Sequence, residues 1–116
     1  MDTVTLIIQD PPYGTEKAWN ALRLAQVLLT QETQVKFFLL GDSVGMAKVG
    51  QEVPVGYYNL GKILEQLMEK GVEVKACTTC CKARGLKAGD LIKGVEIGGM
   101  TDLARWAKES KQVITF

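Results

Sequence analysis

Histidine is absent from this chain of 116 residues, and that gap alone excludes a good deal. It removes the commonest general base and the commonest metal ligand. No Ser-His or Cys-His catalytic pair can form within the chain. Net charge is nearly absent as well, with 14 Lys and Arg against 13 Asp and Glu, for a balance of +1. A chain so balanced lacks the long-range field that gathers phosphates, and we expect no direct contact with nucleic acid. Long apolar runs are missing too. Stretches such as Phe37 to Leu40 fall far short of the roughly 20 residues of a membrane span, so no membrane contact is expected. Met1 to Ile8 carries Asp2 and no Lys or Arg ahead of its apolar part, unlike the basic start of a signal peptide. The expectation is a soluble, cytoplasmic protein.

Cysteine is scarce in the same informative way. There are three, and all lie between Cys77 and Cys81. An odd number so tightly grouped does not make a disulfide framework. In a reducing compartment such thiols stay free unless they do redox, metal or transfer chemistry. At 47% hydrophobic and 23% charged, the rest of the chain has the make-up of one globular domain, residues 1–116. A domain of this size buries about two thirds of its unfolded surface and needs no staples.

Short β-branched, apolar segments recur along it: Val4 to Ile8, Val35 to Leu40, Val72 to Ala76, Val95 to Ile97 and Val113 to Phe116. Such runs suit strands covered on both faces, as in a parallel sheet. Between them lie helical stripes. Ala18, Leu22, Ala25 and Leu29 mark a helix starting near Thr15; Leu60, Ile63, Leu64, Leu67 and Met68 mark one that Gly71 stops. Met100, Leu103, Ala104 and Ala107 mark a last helix, with Thr101 as its expected N-cap. Asp42 to Ala47 and Thr79 to Gly85 read as shorter helical pieces. Alternating strands and helices predict βαβ units and a three-layer α/β/α sandwich around a five-stranded parallel sheet. The stretch from Lys48 to Tyr58 shows no pattern.

In open α/β sheets the working site lies beyond the carboxyl ends of the strands. There the sequence puts Asp10 to Gly14, then Gly41-Asp42-Ser43, then Cys77 onward, then Gly98-Gly99, so the cysteines share a rim with Tyr13, Asp42 and Ser43. Cys77 leaves a buried strand just before a helical turn, where backbone N–H groups favour thiolate over thiol. Lys75, Lys82, Arg84 and Lys87 add positive charge nearby in sequence, and these features together make a cysteine nucleophilic. Cys81, in mid-helix, reads equally as a small core residue or as part of the site. Cys77-Thr78-Thr79-Cys80 is a C-x-x-C at a strand-to-helix junction, a spacing that permits a reversible disulfide. Zinc is not expected, because three cysteines from one segment lack a fourth ligand. No cofactor is expected either: Gly41-Asp42-Ser43-Val44-Gly45 is neither G-x-G-x-x-G nor a P-loop and reads as a loop with a helix N-cap. Trp19 and Trp106 fall on helical patterns and read as packing or subunit-contact residues.

Several motifs in this order resemble the DsrE/DsrF-like family, its YchN-like branch above all, over essentially the whole chain. They are Pro12-Tyr13-Gly14, Leu22-Arg23-Leu24-Ala25, Gly56-Tyr57-Tyr58-Asn59, Val74 through Cys80 with Arg84-Gly85, Gly94 through Gly98, Leu103 through Trp106, and the closing Val113 to Phe116. The resemblance implies a hexameric assembly of identical or related subunits. It also implies sulfur carriage: relay members of the Dsr and Tus types hold sulfur as a persulfide on one cysteine that follows the third strand and precedes an Arg-Gly pair. Cys77 with Arg84-Gly85 has that spacing. Relay subunits have small apolar residues where this chain has Cys80 and Cys81, whereas YchN-like proteins share the cysteine at Cys80. The leading expectation is therefore a sulfurtransferase working through a Cys77 persulfide, with Cys80 resolving it and with partner proteins as sulfur donor and acceptor. Tyr13, Asp42, Ser43, Cys81, Arg84 and Gly85 are expected to line the site. A dithiol redox or sensing module using Cys77 and Cys80, and a non-catalytic oligomeric scaffold, are the alternatives.

Overall fold

The apolar runs form five strands: β1 (Thr3–Ile8), β2 (Gln34–Leu39), β3 (Glu73–Cys77), β4 (Glu96–Gly98) and β5 (Gln112–Thr115). This computed structural model describes residues 1–116. The helices are α1 (Lys17–Thr30), α2 (Leu60–Glu69), α3 (Thr78–Ala83) and α4 (Met100–Glu109), with 3-10 turns at Gly41–Ala47 and Ala88–Asp90. All strand pairs are parallel and the sheet runs β4-β3-β2-β1-β5. This is the three-layer α/β/α architecture expected from the alternation of patterns.

That order dictates where the helices go. From β1 through β4 the chain steps across the sheet in one direction, and right-handed crossovers then keep the connections on one face. The step from β4 back past β1 to β5 runs the other way, so its right-handed crossover, α4, lies on the opposite face. The packing agrees. Leu6 and Ile8 of β1, Phe37 and Leu39 of β2, and Val74 and Ala76 of β3 meet Leu22 of α1 and Leu64 of α2 in a core of 22 buried residues. On the other face only Phe38, Cys77, Leu103 and Trp106 are buried together.

Local chemistry sets the helix ends. Asn59 caps α2, its Oδ1 accepting the Lys62 N–H at 3.0 Å. Thr15 does not start α1, which begins two residues later; its Oγ1 accepts the Lys17 N–H at 3.2 Å and donates to Asp10 at 2.7 Å. Thr101 is not the cap of α4. The Asp102 carboxylate reaches back to accept the Gly99 N–H at 2.8 Å, which makes Gly99 the boundary residue. Strand β5, expected to be covered on both faces, is exposed at three of its four residues because it forms the sheet edge beyond α4.

Candidate active site at the end of β3

Strands β3 and β4 are neighbours, with Cys77 opposite Gly98 in register. Their outgoing connections leave on opposite faces: α3 sends Cys81 into the large core, while α4 covers the other face. Such a divergence, outside the carboxyl ends of two neighbouring strands, is where α/β sheets keep their sites. Cys77 stands there as the last residue of β3 and the boundary residue of α3, one position deeper than the sequence suggests. Its neighbour Thr78 ties α3 to β4 by donating to the Gly98 carbonyl at 3.0 Å.

The three free sulfurs have different surroundings. Cys77 is only 5% exposed, lying under Leu103 and Trp106 beside Phe38. Burial pushes its thiol up. The Cys80 thiol, the Thr79 hydroxyl and the backbone amides of Cys80 and Thr79 pull it down by more, so Cys77 lies below the ordinary value of 9.0. Of these groups the Thr79 hydroxyl, 3.3 Å away, is the one in full hydrogen-bond geometry. The cationic residues singled out from the sequence are not among the causes. Lys75 is committed to Asp102 at 3.4 Å and to the Trp106 ring. Cys80 is half-buried, bridges both apolar clusters, and accepts the Gly41 N–H on its Sγ at 3.1 Å. Cys81 is sealed in the large core, and its thiol is raised by burial first and then by the neighbouring Cys77 and Cys80.

Asp42 and Arg84 come together beside these sulfurs. Arg84 donates from Nε at 3.0 Å and from a terminal nitrogen at 2.7 Å to one Asp42 oxygen, and its other terminal nitrogen donates to the Cys80 carbonyl at 3.0 Å. Asp42 holds the guanidinium above its ordinary range. The remaining expected lining residues are not part of this group. Ser43 is fully buried, and its hydroxyl is spent on the carbonyls of Ile8 and Leu40 at 2.6 and 2.7 Å. It pins the turn after β2 to β1 and presents nothing to a substrate. Cys81 faces the core on the far side of the sheet. Gly85, at φ +70°, ends α3 in the open. Tyr13 bonds to the Tyr58 carbonyl and the Leu60 N–H, in a stack with Tyr58 and Trp19. That stack orders the patternless loop before α2, so Trp19 packs on the loop and Trp106 packs under α4.

Sequence reasoning missed Thr79 and the Gly41 N–H. A threonine at the third position of the C-x-x-C turn was a visible signal for the first. For the second, only the left-handed turn of Gly41, at φ +58°, betrays the backbone's approach to sulfur.

With this geometry in view, comparisons with known proteins are direct. Residues 2–116 match the DsrE/DsrF-like family. The chain belongs to that family. YchN of Escherichia coli is 39% identical over 118 residues, covering 100% of both chains, and its crystal structure superposes with a TM-score of 0.94. This places the chain in the YchN-like branch. An uncharacterised protein of Methanopyrus kandleri is 48% identical over 119 residues, covering 100% of this chain and 95% of that one. Sulfurtransferase TusD of Cronobacter sakazakii is 26% identical over 125 residues, covering 97% of this chain and 98% of its own. The family is thus one that includes sulfur-relay proteins. No helix is long and apolar enough to cross a membrane.

Proposed function

We propose that this protein transfers sulfane sulfur, carrying it as a persulfide on Cys77. The observation that carries the reading is the Cys77 thiol itself, held below the ordinary range at the divergence of β3 and β4. The kinship with sulfurtransferase TusD points to the same chemistry. In the loading step the Cys77 thiolate attacks the outer sulfur of a donor persulfide, and the donor thiolate leaves. Unloading takes one of two routes. An acceptor thiolate attacks the outer sulfur of Cys77–S–SH and frees Cys77, or the Cys80 thiolate attacks the inner sulfur, giving a Cys77–Cys80 disulfide and releasing hydrosulfide. The second route requires a thiol reductant to reset the pair. Without sulfur loading, the same two cysteines make a dithiol redox module, a second reading favoured by the Cys80 thiol lying against Cys77.

In this reading donor and acceptor are proteins, nucleic acid and membranes are not partners, and the working form is a cytoplasmic homo-hexamer. The exposed side chains of Val55 and Tyr57, on the loop before α2, support a contact between copies. Light scattering tests that part, and a mass near 12.7 kDa overturns it. Intact mass after treatment with glutathione persulfide tests the chemistry. A product about 32 Da heavier, absent in Cys77→Ser, is expected for transfer. Loading is read in Cys80→Ser, which cannot resolve the persulfide into the Cys77–Cys80 disulfide; no product about 32 Da heavier in that variant, beside a product about 2 Da lighter in the parent, assigns the redox module instead.

A further inference from the structure

We propose that Asp42 and Arg84 are positioning residues that hold the Gly41 N–H on Cys80 Sγ and so keep the Cys77–Cys80 pair easy to reduce. The inference rests on the dithiol chemistry of the preceding section and adds to it the control of its equilibrium. Four links close a ring. Gly41 N–H donates to Cys80 Sγ at 3.1 Å; the Cys80 carbonyl accepts from Arg84 at 3.0 Å; Arg84 grips Asp42 at 2.7 and 3.0 Å; and Asp42 follows Gly41 in the chain. Two of these links join the turn after β2 to α3, so neither segment can swing without breaking one of them.

The energies say what such a ring is for. Asp42 and Arg84 are both exposed enough to be screened by water, and pairs of this kind add little to folding. The ring is therefore a poor stabiliser of the fold. It is a good way to fix an angle, because two donors of the guanidinium converge on one carboxylate oxygen while a third holds the backbone of α3. What it fixes is a backbone N–H aimed at sulfur from a left-handed residue, Gly41 at φ +58°. A side chain there would be strained, and the turn that directs the N–H would be lost.

A hydrogen bond from a backbone amide is stronger to a thiolate than to a sulfur already in a disulfide, so the Gly41 N–H favours the reduced pair. The equilibrium is Cys77–SH + Cys80–SH + GSSG ⇌ Cys77–S–S–Cys80 + 2 GSH. One cysteine thiolate attacks glutathione disulfide and expels a glutathione thiolate; the other attacks the mixed disulfide and expels the second. Loss of the ring shifts this equilibrium toward the protein disulfide.

Charge alone predicts a different pattern, which makes the proposal separable. Removing Arg84 takes away a cation near the sulfurs, and by charge alone that favours the disulfide. Removing Asp42 takes away an anion, and by charge alone that favours the thiolates. Positioning predicts that both removals favour the disulfide. The test is the glutathione equilibrium, read by mass, of Asp42→Ala and Arg84→Gln in a Cys81→Ser background, with amide hydrogen exchange at Gly41 measured in parallel. We expect both variants to favour the disulfide by about tenfold, or about 30 mV, with Gly41 exchange accelerated at least about tenfold while the rest of β2 and α3 is unchanged. A shift toward the dithiol in Asp42→Ala, or unchanged exchange at Gly41 in both variants, overturns the proposal. If the parent forms no Cys77–Cys80 disulfide while Gly41 exchange responds as expected, the ring stands and it is the dithiol chemistry that falls.

Discussion

The two faces of this sheet are unequal. One is sealed by α1 and α2 over 22 buried residues; the other is covered by a single ten-residue helix, α4, over four. The strand order makes the inequality unavoidable, since only the return from β4 to β5 crosses that second face. The cysteines divide between the two. Cys81 goes to the thick face and is 1% exposed, with a raised thiol; Cys77 goes to the thin face, with a lowered one. For Cys77 to react as proposed, the thinner layer is the one that must give way. Cys80 sits between the two clusters, in contact with both.

Truncation on each face tests that inequality most strongly. Phe37→Ala empties a fully buried site in the thick core, and urea unfolding is expected to show a loss of about 3–5 kcal/mol. Leu103→Ala, under a cover of few neighbours, is expected to fall at the low end of the about 2–5 kcal/mol seen for such changes. Its larger effect is on Cys77, whose alkylation by iodoacetamide in native buffer speeds up severalfold. Equal losses from the two variants, or unaltered Cys77 labelling in Leu103→Ala, would break the comparison.

The two buried thiols are expected to give opposite pH dependence. The Cys77 value lies below 9.0 in the folded protein, so its stabilising contribution is complete above 9.0 and is lost as pH falls through the folded value. The Cys81 value lies above 9.0, so its contribution is complete below 9.0 and is lost as pH rises through the folded value. Cys77→Ser should therefore remove a rise of stability with pH just below 9.0, and Cys81→Ser should remove a fall just above it. Chemical denaturation across that window measures both, and slopes of the same sign in the two variants would refute the assignment. Thr79→Val acts more gently. It removes the hydroxyl 3.3 Å from Cys77, and the midpoint of Cys77 alkylation should move up without a matching change at Cys81.

Much of this was legible in the residues, for physical reasons that can be named. Apolar runs and helical stripes reported the layers because burial imposes them. The position of Cys77 followed from the rule that sites lie beyond strand ends. What stayed hidden depends on side-chain direction. Ser43 looked like a rim residue, yet its hydroxyl turns inward to two carbonyls. The lysines near Cys77 looked like its activators, yet Lys75 is bound elsewhere and hydroxyl, thiol and amide groups do the work. Asp42 and Arg84 lie 42 residues apart, and no local pattern announces their pairing.

The smallest expected effect concerns the polar margin of the thin face. Lys36 and Lys75 lie 4.9 and 5.4 Å from the centre of the Trp106 ring, and Lys75 also pairs with Asp102. Lys75→Met keeps most of the apolar stem that covers Trp106 and removes the charge. Its cost should be about 0.5–1 kcal/mol, fading as salt is added. The acid limb should persist in this variant. Asp102 is held below the ordinary carboxylate range by the Gly99 N–H first, then by Arg105, with Lys75 a later contributor. A depressed carboxyl contributes stability above its unfolded value and loses it as pH falls through the folded one. Asp102→Ala, which also strips the Gly99 N–H of its acceptor, should flatten that limb where Lys75→Met does not. If Lys75→Met flattens it equally, the lysine and not the helix start governs Asp102, and the thin face is held at its margin by charge pairing after all.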